Sequence, residues 1–218
     1  MGIQEIKTQL QKTNTALVAV SKTKPNSAIL ELYEQGQIDF GENRVQELIQ
    51  KHESLPKDIQ WHMIGHLQTN KVKYIAPFIH LIHSVDSSKV LKEINKEAAK
   101  NNRIISCLLQ FHIAAESSKY GFDLNGVKSL LQSPQFQEFQ NVQIVGVMGM
   151  ATFTDNLQQV RQEFKNLKGI FDDLKNTFFK ADEHFREISM GMSGDYTIAM
   201  EEGSTMVRIG SLLFGARR

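Results

Sequence analysis

Two stretches of this 218-residue chain have residue types and spacing suited to chemistry. The first is Leu17-Val18-Ala19-Val20-Ser21-Lys22-Thr23-Lys24-Pro25, a short apolar run that leads straight into a lysine. A buried ammonium loses its hydration, so a lysine is accommodated where a core strand ends rather than within it. Lys22 is therefore expected at a strand end, its stem in the fold and its amine near a cavity. Desolvation there, with the like charge of Lys24 beside it, is expected to enlarge the neutral, nucleophilic fraction of the amine. Such an amine condenses with a carbonyl as a Schiff base. The second stretch lies near the other end of the chain. Ser189-Met190-Gly191-Met192-Ser193-Gly194-Asp195 and Arg208-Ile209-Gly210-Ser211 supply hydroxyls and unobstructed backbone amides, which suit a phosphate dianion. A lysine for a carbonyl and a cradle for a phosphate are the two halves of a pyridoxal 5′-phosphate (PLP) site. A lysine aldolase acting on a sugar phosphate would use the same two features. Arg208 bears on the choice of chemistry, because from the last strand its guanidinium can face a pyridine nitrogen. It donates and does not accept, which leaves that nitrogen unprotonated and the ring a poorer electron sink.

These residues need a scaffold that brings the two ends of the chain together. The pattern predicts one. After a polar helix over 2–13, short apolar runs alternate with amphipathic segments. Strands are expected at 17–20, 38–40, 60–64, 80–85, within 103–113, and at 142–148, 185–189 and 206–209. Helices are expected over 26–35, from 43 to about 52, over 68–76, from 88 to about 101, over 124–132, and over 156–179. In the last of these, Val160, Phe164, Leu167, Phe171 and Leu174 recur at spacings of three and four, an apolar stripe that reads as core. About eight strand–helix units in one chain describe a (β/α)8 TIM barrel in the α/β class. The alternative, a doubly wound open sheet, calls for fewer strands and a glycine-rich first turn, and neither G-x-G-x-x-G nor G-x-x-x-x-G-K-[ST] occurs. Nothing in the composition divides the chain, so residues 1–218 are read as a single domain. In a barrel, chemistry belongs at the C-terminal ends of the strands, where Lys22, Asn43, Met148, Ser189, Ser193, Arg208, Gly210 and Ser211 all fall.

Composition narrows the partners. The chain is 41% hydrophobic with a formal net charge of +1, which offers no bias toward nucleic acid or an anionic membrane. Cys107 is the single cysteine, so an internal disulfide and a cysteine metal cluster are excluded. The N-terminus has no apolar signal region and no stretch has the length of a membrane span, which points to a cytoplasmic protein. His62 and His66 are four apart but flank a strand end, so their spacing loses the meaning it has on a helix, and no metal is expected. His80 and His83 read as packing or rim residues.

Five linked motifs carry a family resemblance. They are Ala19-Val20-Ser21-Lys22-Thr23-Lys24-Pro25; Phe40-Gly41-Glu42-Asn43 with Gln46-Glu47; Trp61-His62-Met63-Ile64-Gly65 with Leu67-Gln68-Thr69-Asn70-Lys71; Ser189-Met190-Gly191-Met192-Ser193; and Gly203-Ser204-Thr205-Met206-Val207-Arg208-Ile209-Gly210. In order and spacing the chain resembles the YggS/PROSC family of pyridoxal phosphate homeostasis proteins over nearly its whole length. The resemblance implies a barrel like the N-terminal domain of alanine racemase (PLP fold type III). It also implies PLP held as a Schiff base by Lys22, with Arg208 facing the pyridine nitrogen. Ser189, Ser193, Gly210 and Ser211 would surround the phosphate, and Asn43 and Met148 would lie near the ring. The sequence departs from the usual pattern at Arg44, at Phe111-His112-Ile113 and at Gly146-Val147-Met148-Gly149, none of which touches the lysine or the phosphate loops.

Two functions follow from such a site. One is a protein that stores, buffers or delivers PLP within the cell, handing it to PLP-dependent apoenzymes. The other is an amino-acid racemase. A two-base racemase needs a second proton donor on the far face of the ring. In alanine racemases that donor comes from an additional β domain, for which this chain has no room. Water access and Arg208 both weaken stabilisation of a carbanion. The expectation is a carrier without robust catalysis. The same missing domain is the usual dimerising element, so a monomer is expected.

Overall fold

β1 (Ala16–Val20) pairs in parallel with β2 (Asp39–Glu42) on one side and with β8 (Met206–Ile209) on the other, and so joins the two ends of the chain. Between them run β3 (Gln60–Met63), β4 (Leu81–Val85), β5 (Ile105–Phe111), β6 (Val142–Gly149) and β7 (Glu187–Ser189), each parallel to its neighbours in a closed barrel. This computed structural model describes residues 2–115 and 120–215. An opening helix, α1 (Ile3–Gln11), precedes β1. The strands are then followed in turn by α2 (Asn26–Tyr33), α3 (Val45–Ser54), α4 (Thr69–Ile75), α5 (Ser88–Lys100), α6 (Leu124–Gln132) with α7 (Pro134–Gln137), α8 (Leu157–Thr177), α9 (Tyr196–Glu201) and α10 (Ser211–Phe214). The fold is the (β/α)8 barrel that the alternation predicts.

Two helices escape the sequence reading. α7 starts at Ser133, whose hydroxyl accepts the Phe136 N–H, with Pro134 at the first helical position. α9 is six residues long and too short to show a helical period. The seventh strand is only three residues long. Phe185, expected inside it, instead lies just before it and is fully buried against Phe171 and Phe179, with ring centroids 5.0 and 4.2 Å away.

The core has two parts. Outward strand residues such as Phe40, Trp61, Leu109, Val147 and Val207 pack against the apolar faces of the helices. Inside the barrel a smaller cluster, Val18, Leu81, Leu108, Met148 and Met206, fills a middle layer. Val145 and Met150 pack on that same inner cluster. Val145 and Met148 are an odd number of residues apart, so a regular strand would put them on opposite faces. The β5–β6 register shifts at Cys107/Leu108, opposite Ile144 and Gly146, and that bulge restores the parity. It falls at Gly146, where a Cβ would stand 1.8 Å from the Glu187 carbonyl oxygen, so only glycine permits it.

Cys107 is fully buried in β5, and burial pushes its thiol far above the ordinary range. A thiolate is the reactive form. An aromatic disulfide reagent is therefore expected to modify native protein only as fast as it unfolds, and to react at once in denaturant. Rapid labelling under native conditions would contradict this placement.

Candidate functional site

The C-terminal end of β1 is fixed from below by an ion network. Ser21 is fully buried and donates its hydroxyl to Glu42 Oε1 at 2.6 Å. Lys51 on α3 donates to the same oxygen at 2.7 Å, to the Ser21 carbonyl at 2.8 Å and to Glu47 Oε1 at 2.7 Å. The Thr23 N–H donates to Glu47 Oε1 at 2.6 Å. Thr23 has φ +65°, a left-handed conformation that a β-branched residue adopts only when its surroundings enforce it. The residues on both sides of Lys22 are thus locked, and the lysine is aimed rather than left to wander. Burial pushes the Glu42 carboxyl upward, against the pull of Lys51 and Ser21.

Lys22 opens on a cavity of about 430 Å3 at the C-terminal end of the barrel. Of the residues expected at the site, Lys22, Asn43, Ser193, Arg208, Gly210 and Ser211 line it. Its wall also includes Ile64, Met150, Met192 and Asp195. Two expected residues do not line it. Met148 is fully buried one layer down, in the inner cluster, because the bulge sets it there and brings Met150 to the wall. Ser189 is also fully buried beneath the wall and its hydroxyl meets Arg208 Nη1 at 2.5 Å, so it braces the guanidinium instead of facing an anion. Arg208 Nη2 donates to the Gly149 carbonyl at 3.0 Å. Two of the five guanidinium N–H groups are thereby committed to the floor, and the charge is held in one orientation. Burial pushes Arg208 down to about 10, still protonated at neutral pH.

The anion side is built by the two late loops. The Gly210 N–H donates to Ser193 Oγ at 3.2 Å, which ties the loop after β7 to the end of β8. Asp195 folds that loop back by accepting the Met192 N–H at 2.5 Å, and burial pushes its carboxyl up. Gly191 has φ +94°, and a Cβ there would meet the Ala199 Cβ at 2.6 Å, so the turn requires glycine. Lys24, the other candidate amine, also lines the cavity, but its ammonium donates to the Phe214 carbonyl at 2.9 Å and the Gly215 carbonyl at 3.3 Å. Asn43 presents an unmet need. Its Oδ1 is buried with no hydrogen-bond partner, an arrangement that favours a ligand able to donate. The residues present fit a ligand with an aldehyde, an anionic group and a planar body.

Sequence reasoning missed Lys51 and His83. Lys51 follows Val45 and Leu48 at a spacing of three, so the helical period had already placed it on the buried face. His83, read as packing or rim, is fully buried inside the barrel, where Nδ1 meets Ser189 Oγ at 2.9 Å. At the opposite mouth, Asp39, His62 and His80 each bring one possible metal-ligand atom to within 4.8 Å of the others. His62 Nε2 is already engaged with Asp39 Oδ1 at 3.0 Å.

Residues 2–218 match the alanine racemase N-terminal domain family. The pyridoxal phosphate homeostasis protein of Aquifex aeolicus is 41% identical over 203 residues, spanning 93% of this chain and 87% of that one. The protein belongs to the pyridoxal phosphate homeostasis family. The human member is 36% identical over 212 residues, covering 92% of this chain and 76% of its own. PipY of Synechococcus elongatus, solved with PLP bound, superimposes with a TM-score of 0.86 at 34% identity, over 98% of both chains. The strand-end lysine, the anchored arginine and the glycine–serine loops that carried the family resemblance are the elements that meet around the cavity of this member.

Proposed function

We propose that this family member binds PLP through Lys22 and serves as an intracellular carrier that stores, buffers or delivers the cofactor. When bound, the cofactor supplies an aldehyde for a lysine amine and a phosphate for the anchoring loops. The observation that carries the reading is the shared cavity. Lys22 and the Ser193/Gly210/Ser211 amides and hydroxyls open on one space, with Arg208 clamped at its floor. The PLP-bound relative, 34% identical along the whole chain, supports the same ligand. Arg208 bears on the choice between carrier and racemase: if the ring nitrogen faced it, this fixed cation would oppose the protonation that makes the ring an electron sink. Among the described residues lining the cavity, the ionisable side chains are Lys22, Lys24, Asp195 and Arg208, a set without a tyrosine or histidine to act as a second base. Among the described residues no helix is long and apolar enough to cross a membrane, and the proposed recipients are PLP-dependent apoenzymes in the cytoplasm. The proposed carrier is a monomer, which sedimentation at several concentrations tests.

The decisive experiment follows the absorbance of purified protein during PLP titration, then reduces the complex with borohydride and maps the labelled peptide. A saturable visible band and label on the 21–24 segment are expected. A colourless protein that instead forms a reducible adduct with a sugar phosphate would favour the aldolase reading. The carrier reading also expects holo-protein incubated with alanine, serine or glutamate to leave their chirality unchanged while an added apoenzyme gains activity. Sustained racemisation would reverse the choice.

A further inference from the structure

A single file of hydrogen bonds threads the barrel interior, from the mouth opposite the cavity to the cavity floor. It begins at Asp39, the first residue of β2, whose Oδ1 meets His62 Nε2 at 3.0 Å. His62 Nδ1 meets His83 Nε2 at 2.9 Å. His83 Nδ1 meets Ser189 Oγ at 2.9 Å, and Ser189 Oγ meets Arg208 Nη1 at 2.5 Å. His62, His83, Ser189 and Arg208 are all buried, whereas the Asp39 side chain reaches the surface at 29% exposure.

With one proton on each ring, the direction of every link follows from the Asp39 end. A carboxylate only accepts, so the His62 hydrogen is on Nε2 and its Nδ1 accepts. His83 then donates from Nε2, which leaves its Nδ1 to accept the Ser189 hydrogen. A guanidinium only donates, and Ser189 Oγ, its hydrogen committed to His83, accepts from Arg208. The charge at each end suits that one polarity. Burial holds His83 well below the ordinary histidine range, consistent with one proton on that ring. A file whose ends agree polarises each link and resists rotation of any member.

We propose that Asp39, His62 and His83 are positioning residues for Arg208: the charge at the distant mouth fixes the histidine tautomers, which fix the Ser189 hydroxyl, which holds the guanidinium at the cavity floor. The consequence for PLP rests on the carrier reading above; the tautomers do not. A change at Asp39, which does not line the cavity, should then be felt in the pocket.

The test has two arms. In ligand-free protein, long-range proton–nitrogen correlation spectra should show His62 and His83 both as Nε2–H tautomers. In D39N, where an amide that can donate replaces a pure acceptor, the nitrogen shifts of His83 as well as His62 should move. A His83 found as the Nδ1–H tautomer, or left unmoved by D39N, overturns the proposal. The second arm measures PLP dissociation. D39N should weaken binding by about threefold to tenfold in the wild-type background and by nothing further in S189A, where the file is cut. An equal effect of D39N in both backgrounds also overturns it. If wild-type protein takes up no PLP at all, the carrier reading fails while the tautomers still judge the file.

Discussion

Protein carrying Lys22→Ala, incubated with PLP and reduced with borohydride, is expected to retain no covalently attached cofactor and no visible absorbance band. The reason lies in how tightly this position is aimed. Ser21 on one side is fully buried and bonded to Glu42; Thr23 on the other is held in a left-handed conformation by Glu47. With the backbone fixed at both neighbours, the lysine stem has one way to go, into the cavity that Ser193, Arg208 and Gly210 also line. Anion contacts remain in the variant, so weak reversible binding should persist. The apparent affinity should fall on the order of a hundredfold, about 2.8 kcal/mol at 1.4 kcal/mol per factor of ten. Lys24→Ala is the control. Its ammonium is engaged by the Phe214 and Gly215 carbonyls, so its loss should loosen α10 and leave the reducible adduct in place. If Lys24→Ala alone abolished trapping while Lys22→Ala did not, the amine would have been assigned to the wrong residue.

The largest stability effect is expected one shell below. Among the described residues, Lys51→Met removes the only cation bonded to Glu42, a carboxylate with no exposure whose second oxygen, Oε2, already lacks a partner there. Truncating one member of a buried pair leaves an uncompensated charge and typically costs about 3–5 kcal/mol. Urea denaturation read as a shift in midpoint at constant slope checks this. A loss under about 1 kcal/mol would mean that water reaches Glu42 and the network is not buried in solution. The pH dependence has a definite sign. Burial already pushes Glu42 up, and without Lys51 it should rise further. A folded-state value above the unfolded one carries no penalty where both states are protonated, and stability falls as the unfolded carboxyl ionises. Wild type and variant share that fall up to the raised folded value of wild-type Glu42, so the deficit of Lys51→Met should open only above it and widen from there toward neutrality. Lys51→Met combined with Glu42→Leu should recover much of the stability, since an apolar pair can replace a buried ionic one. It should not recover PLP affinity, because Ser21 would still have lost its contacts with Glu42 and Lys51, and Glu47 the ammonium that holds it beneath Thr23. Stability and positioning come apart in that double variant.

The alternation of apolar runs with amphipathic segments, the strand-end position of Lys22, and the small, hydroxyl-bearing loops before and after β8 were all legible along the chain. Each depends on local rules: a period of two or 3.6 says which face is buried, and the desolvation of an ammonium says where a strand must stop. Those rules were enough to name the barrel and six of the residues that meet at the cavity. They failed where a contact depends on which strands the closed sheet sets face to face. Met148 faces the lumen, but it lies one layer below the cavity wall that Met150 reaches, a depth set by the register of β6 against both its neighbours and so a property of several strands together. Ser189 was assigned to an anion because its loop looked like an anion loop; closure of the barrel instead set it between His83, 106 residues away, and Arg208. His83 read singly as a packing or rim residue, and His62 as a strand-end residue with no metal to bind. Only the lumen of a closed barrel, which keeps both imidazoles and the Ser189 hydroxyl from water, compels them to satisfy one another between Asp39 and Arg208.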